Sequence, residues 1–342
     1  MNNSTNLEFD VFNLYERIGS TLLLDSVYIF IITPIGLIGF FLNLFSFYIL
    51  RKIKIDQTML YKYLAFYALN GSIICLLVSL TFTCYSPRYY PFYLSLTSRI
   101  IRAFIAPLIS TIFYFVCNIL DIFVALERLS IFVKTFRPLN KLNPFLVCLI
   151  IIVISLIINF PQFLSYYVKD ENELYDQIRY NISIFNYNGR TPFFFSKFGT
   201  IITYVQIFIR DILTLLIELM ISSLAFYYLR KFNQKQIDLN RIPSKIDKKR
   251  KEIMRKKIIK DRLILLNNLI QTILSFISHV LVSIAYFYAS KGVTEDLFKW
   301  LCIGFFTISF KHFSFFFMLR CFNTNFRKQL FYLFGCKSEL NQ

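Results

Sequence analysis

Asp121 and Arg128 stand seven residues apart, as do Asp211 and Glu218, and all four lie in or at the end of long apolar runs. On a helix that spacing puts two side chains on nearly one face, about two turns apart. Arg210 adjoins Asp211, Glu127 adjoins Arg128, and His279, Lys311 and His312 are further polar groups among apolar neighbours. Charged groups in such surroundings are costly unless they face a protein interior and find partners. The chemistry open to them is pairing, hydrogen bonding and rearrangement. Catalysis finds no support: there is no Ser/His/Asp set, the 9 Gly form no phosphate-cradling loop, and His279 has no second metal ligand at helical spacing. The chain reads as a non-enzyme needing no cofactor and no metal.

The elements that must position these residues are membrane helices. Hydrophobic residues make up 56% of the chain and charged ones 17%, against roughly 45–50% and 25% in soluble domains. The apolar residues gather into seven runs, about 27–50, 61–84, 101–127, 144–167, 198–229, 263–289 and 297–319, each near or above the ~20 residues that cross a bilayer. The expected fold is an all-α membrane protein. It is a seven-transmembrane helix bundle over 27–319, with an outer tail at 1–26 and an inner segment at 320–342. Met1–Tyr15 is polar and acidic, so the first run reads as a signal-anchor helix that stays in place. Pro34, Pro107 and Pro161 fall inside runs, where membrane helices accommodate them.

Charge sets the orientation. Of the 38 Lys and Arg, about 25 lie in the connectors after spans one, three and five and in the final tail, and about 8 lie on the other side. The positive-inside rule then places the N-terminus outside. The net charge of +18 follows from this topology and does not imply a nucleic-acid partner. The run at 245–262 is about half basic; it suits anionic lipid and equally a protein docking surface between spans five and six. The sequons at Asn2, Asn3 and Asn181 fall outside, where glycosylation is possible.

Three places carry a resemblance. Glu127-Arg128-Leu129 closes span three, Asn43 sits midway in span one within GFFLNLF, and Asn323-Thr324-Asn325-Phe326-Arg327-Lys328 follows span seven. Together they resemble the rhodopsin-like (class A) G-protein-coupled receptors, in a divergent form of invertebrate type. The resemblance implies a plasma-membrane, multi-pass receptor whose partners are an extracellular ligand, a heterotrimeric G protein and the bilayer. It implies coupling or switch roles for Glu127, Arg128, Asn43, Asn70 and Asp121, with Glu127 as the local partner of Arg128. Packing contacts between helices are the plainer reading of Asn43 and Asn70. Asp121 has Asn43, Asn70, Lys311 and His312 as candidate partners. Phe326, Leu330, Phe331 and Phe334 form one side of a short amphipathic eighth helix lying along the membrane, and Cys336 just after it is a palmitoylation candidate.

The departures are as informative. An aromatic third member after Glu-Arg is replaced by Leu129, the helix-two acid by Asn70, and the helix-seven Asn-Pro-x-x-Tyr by FFFML at 315–319. The helix-six Cys-Trp-x-Pro is absent, and neither the outer start of span three nor the loop at 168–197 holds the cysteine for the usual outer disulfide. Cys84 and Cys302 could approach each other, with two unpaired small residues the plainer reading.

Candidate pocket residues are Arg210, Asp211, Phe276 and Tyr286, with an internal ion pair as the alternative for Arg210 and Asp211. His279 reads as a hydrogen-bonded interior histidine. The ligand is a peptide or a small molecule; the acidic outer residues Glu8, Asp10, Glu16, Asp170, Glu171, Glu173 and Asp176 favour a basic peptide. A seven-helix transporter or channel subunit and a signalling-dead receptor-like protein are the alternative functions. If Asn181 faces outward, Asn181→Gln will reduce the glycosidase-sensitive mass shift of protein made in eukaryotic cells. An unchanged shift would remove this support for the orientation.

Overall fold

The computed structural model describes residues 27–53, 59–85, 95–133, 136, 142–170, 189–241, 266, 269–281, 283–284 and 294–335. Helix α1 is Thr33–Lys52, entered through a π-helical turn at Tyr28–Ile32, and α2 is Met59–Tyr85. Helix α3 joins Leu96–Ile100, the π-helical Ile101–Ile109 and Ser110–Phe132; α4 is Pro144–Ser165. Helix α5 joins Lys197–Ile207, the π-helical Phe208–Leu213 and Thr214–Arg241. Helix α6 is described over Leu269–Leu281, α7 is Thr294–Phe322 and α8 is Thr324–Leu333. Between α4 and α5, strand β1 (Tyr166–Tyr167) pairs antiparallel with β2 (Gly189–Arg190). The expected fourth span therefore stops short, and residues 166–167 leave the helix for the outer loop. Asn2, Asn3, Asn181, Tyr286 and Cys336 lie outside the described residues, as do the side chains of Arg128, Cys84 and Cys302.

The polarity of the bundle is inverted relative to a soluble protein. On α4 the buried stripe includes Ser155, Asn159, Gln162 and Ser165. Its opposite face exposes Phe145, Leu146, Leu149, Ile150, Val153, Ile154, Ile157 and Phe160. Helix α5 repeats the pattern, burying Gln206, Arg210, Asp211, Thr214, Glu218 and Ser222 while exposing Phe198, Ile201, Tyr204, Val205, Leu216 and Met220. Water would reject such a surface; hydrocarbon favours it, and the polar groups turn inward to find partners. Among the described residues, α1 to α4 are long and apolar enough to cross a membrane by composition alone. Helices α5 and α7 carry the interior charges Arg210, Asp211, Glu218 and Lys311, which lower their mean hydropathy without exposing polarity to lipid.

Close backbone approach binds α1 to α2. A Cβ added at Gly36 would lie 2.2 Å from Ser79 Oγ and 2.9 Å from the Cys75 carbonyl, and one at Gly39 would lie 2.9 Å from Cys75 Sγ. The Ser79 hydroxyl donates to the Thr33 carbonyl at 3.1 Å across the gap. Small residues permit this contact where there is no hydrophobic force to hold helices together in lipid.

At the outer end, Arg99 Nη1 donates to the Lys169 carbonyl at 3.0 Å, linking the first turn of α3 to the loop after α4. Gly36→Ala forces the helices apart and will lower stability by about 1–3 kcal/mol, read as a reduced midpoint in thermal unfolding of the purified protein. Gly335, at φ 72° with open space around it, is kept by its left-handed backbone and not by packing. A Gly36→Ala variant as stable as the parent would disprove the close α1–α2 contact.

Candidate functional site

The interior charges assemble at two levels. In α5 the π-helical turn widens the backbone so that consecutive residues both point inward, and Arg210 and Asp211 are each at most 1% exposed. Arg210 Nε donates to Asp211 Oδ1 at 3.0 Å and Nη2 donates to Oδ2 at 2.7 Å, a two-point pairing of guanidinium and carboxylate. His279 of α6 meets the same carboxylate, with Nδ1 at 3.2 Å from Oδ1. An ionised carboxylate only accepts, so Nδ1 carries the proton. The ring of Tyr114, from α3, lies against the imidazole with centroids 5.0 Å apart. Helices α5 and α6 thus meet at one carboxylate, with α3 packed against the imidazole.

The second level lies about two turns further along α3. Lys311 of α7 donates to Asp121 Oδ2 at 2.8 Å and to Ser275 Oγ of α6 at 3.0 Å. Its ammonium lies 5.8 Å from the centroid of the Tyr67 ring of α2, within reach of a cation–π attraction. Of the four partners that the sequence offers Asp121, the structure pairs it with Lys311. Glu218 of α5 is buried beside Thr272 and Ser275, within electrostatic reach of both Asp121 and Lys311. Lysine is suited to this hub because its ammonium has three donors on a flexible stem.

Asn43 joins α1 to α7: its amide donates to the Gly39 carbonyl at 2.7 Å and to the His312 carbonyl at 2.9 Å. Asn70 behaves otherwise. Its amide donates back to the Phe66 carbonyl of its own helix at 2.8 Å. Phe276 requires correction as a pocket residue. It is 43% exposed on the outward face of α6, whose inward face carries Thr272, Ser275 and His279.

At the other end of α3, Glu127 is half-buried and its carboxylate accepts from the Leu60 backbone N–H. The first N–H groups of α2 have no partner within their own helix, and a carboxylate there complements the helix dipole as well. Arg128 follows at this end of α3. The adjoining α8 is tied to α2 through Tyr61, whose hydroxyl meets Asn323 Oδ1 at 3.3 Å and accepts from Asn325 Nδ2 at 2.7 Å. Asn323 also caps α8 through Phe326 N–H at 3.0 Å. Phe326 and Leu330 are buried while Arg327 and Lys328 face outward.

A family model described as serpentine type 7TM GPCR chemoreceptor Srx matches residues 33–322. The chain belongs to that family. The receptor is similar in fold to squid rhodopsin, with a TM-score of 0.63 and 13% identity, covering 91% of this chain and 86% of the other. No curated protein matches the sequence. The family and fold make it a multi-pass plasma-membrane receptor of the G-protein-coupled type, which sets aside the transporter and channel readings.

Tyr67 and Tyr114 were missed in the sequence because tyrosine is frequent throughout the chain (22 in all). The signal available was positional: Tyr114, Asn118 and Asp121 recur at four and then three residues, one face of α3. The Asn159–Gln206 contact, 2.8 Å across α4 and α5, had no such cue. Lys311→Met leaves Asp121 buried without its cation and will destabilise the receptor by about 3–5 kcal/mol. Adding Asp121→Leu to it will recover most of that loss in thermal unfolding. A double variant no more stable than the single would show that Asp121 is not the group left uncompensated.

Proposed function

We propose that this receptor senses an extracellular small molecule or peptide and activates a heterotrimeric G protein through movement of α6. The observation that carries this reading is the placement of two polar ties to α6. His279 and Ser275 are four residues apart, hence on one face, and they bond to Asp211 of α5 and Lys311 of α7 respectively. A ligand that alters either polar partner changes the balance between a docked and a displaced α6. It shifts that balance only by its difference in affinity for the two states.

The inner end supplies the second half of the mechanism. Arg128 stands at the end of α3, next to a carboxylate already engaged with α2. Its guanidinium then helps receive the C-terminal helix of a G-protein α subunit as α6 moves out. The basic segment between α5 and α6 adds electrostatic attraction to that surface and to anionic lipid. Asn43 and the Tyr61–Asn323–Asn325 cluster hold the helices that do not move, which gives α6 a frame to move against.

Arg128→Ala will abolish receptor-dependent guanine-nucleotide exchange on the α subunit while cell-surface expression persists. Exchange that continues undiminished in the variant would refute the coupling role. Surface expression with no exchange from the parent receptor against any α-subunit class would favour the signalling-dead reading.

A further inference from the structure

The two ion-pair levels do not balance. Among the described residues, the interior contains three carboxylates, Asp121, Asp211 and Glu218, against the two permanent cations Arg210 and Lys311. Arg210 is engaged at two points by Asp211, and Lys311 by Asp121. Among the described residues, Glu218 has no cation at ion-pair distance, although it is only 3% exposed. Thr272 and Ser275 stand beside it; they can share its lone pairs but cannot neutralise it.

On α2, α3 and α6 several buried polar atoms lack a hydrogen-bond partner among the described residues. Both hydroxyls of Tyr67 and Tyr114, His279 Nε2 and both amide atoms of Asn118 are buried with no hydrogen-bond partner among the described residues. Each of these side chains is more than nine-tenths buried. The two tyrosine hydroxyls lie within electrostatic reach of Glu218 and of each other, and Tyr114 also of Asp211. Asn118 is on the same face of α3, between Tyr114 and Asp121. Buried polar atoms left in this way require something to bond to. With Nδ1 of His279 donating to Asp211, its Nε2 is an acceptor.

We propose that this site takes the ammonium group of a small organic cation, seated on Glu218, with the Tyr67 and Tyr114 side chains alongside. The inference rests on the receptor reading and names the ligand class for it. An ammonium supplies the missing positive charge, donates to the carboxylate and gains from an aromatic face. An anionic ligand is disfavoured because both buried cations are already paired, so binding it would break an ion pair in a low-dielectric interior. The acidic outer residues raise the local concentration of cations at the mouth of the bundle.

The test uses the full-length receptor in lipid nanodiscs and thermal unfolding with four probes: phenethylamine, 2-phenylethanol, phenylacetate and sodium chloride. Phenethylamine is expected to raise the unfolding midpoint in a saturable manner, with the alcohol, the acid and sodium giving no saturable rise. Glu218→Gln retains hydrogen bonding to Thr272 and Ser275 and is expected to weaken the amine by about thirtyfold. Tyr114→Phe is expected to weaken it less. Equal stabilisation by the alcohol, stabilisation by sodium or phenylacetate alone, no stabilisation by any probe, or full amine affinity in Glu218→Gln would each overturn the proposal. If the glutamine variant fails to fold, the amine-against-alcohol comparison on the parent decides.

Basal guanine-nucleotide exchange by the same nanodiscs separates the two readings. Failure of the amine with exchange still dependent on Arg128 rejects the cation site alone, whereas loss of both rejects the receptor reading as well.

Discussion

An ammonium group in the middle of a bilayer cannot be left to solvent, and Lys311 is fully buried. Its position therefore dictates what must surround it. Asp121 has to come from α3, Ser275 from α6 and the Tyr67 ring from α2, so that four helices converge on one nitrogen. Removing any of these partners leaves the others in a medium that penalises uncompensated polarity by several kcal/mol. Lipid supplies no hydrophobic force between helices, which makes such contacts the main source of register and tilt in the bundle. The inverted faces of α4 and α5 follow from the same constraint: their polar residues could go nowhere else.

Much of the architecture was legible because this constraint acts on composition. Runs of about 20 apolar residues, basic inner connectors and a handful of polar residues within the runs lead directly to seven crossings and a direction. The site was only partly legible. Spacing put Asp121 with Arg128 on one face of α3 and Asp211 with Glu218 on one face of α5, but helical periodicity says nothing about which neighbouring helix faces them. Hence Asp121 kept four candidate partners until the fold brought Lys311 to 2.8 Å. Residue type alone did not show that the Asn70 amide bonds to its own helix, four residues back. Phe276 was misjudged because an aromatic residue in a membrane helix is as much at home against acyl chains as in a pocket. The π-helical turn at Phe208–Leu213 had no readable sign, yet it is what turns both Arg210 and Asp211 inward.

The departures from the rhodopsin-like pattern are compensated by weaker but correctly placed contacts. Where a disulfide would join α3 to the outer loop, one hydrogen bond from Arg99 to Lys169 does so. A disulfide restrains the chain covalently, whereas this bond is partly exposed and net worth about 1 kcal/mol. At the inner end, Phe315, Phe316 and Leu319 fill the place of a polar helix-seven motif with buried hydrocarbon, and the polar linkage moves to Tyr61, Asn323 and Asn325, between α2 and the start of α8.

That relocation bears on how α6 is held. In the described residues its polar contacts to other helices include His279 with Asp211, Ser275 with Lys311 and Thr272 with Ser222, the last at 3.2 Å. These lie along one face, at 272, 275 and 279, and two of them end on α5. Each is a hydrogen bond to or near a charge, so each is strong when well aligned and expensive when left half made. Such contacts form or fail together rather than stretching gradually. Thr272 and Ser275 border Glu218, and Asp211 lies about two turns from it on α5, so the proposed cation would sit beside two of these three contacts. On the proposed reading, a cation at Glu218 bears on α5 directly, on α6 through Thr272 and Ser275, and on α7 through Lys311, which is within electrostatic reach.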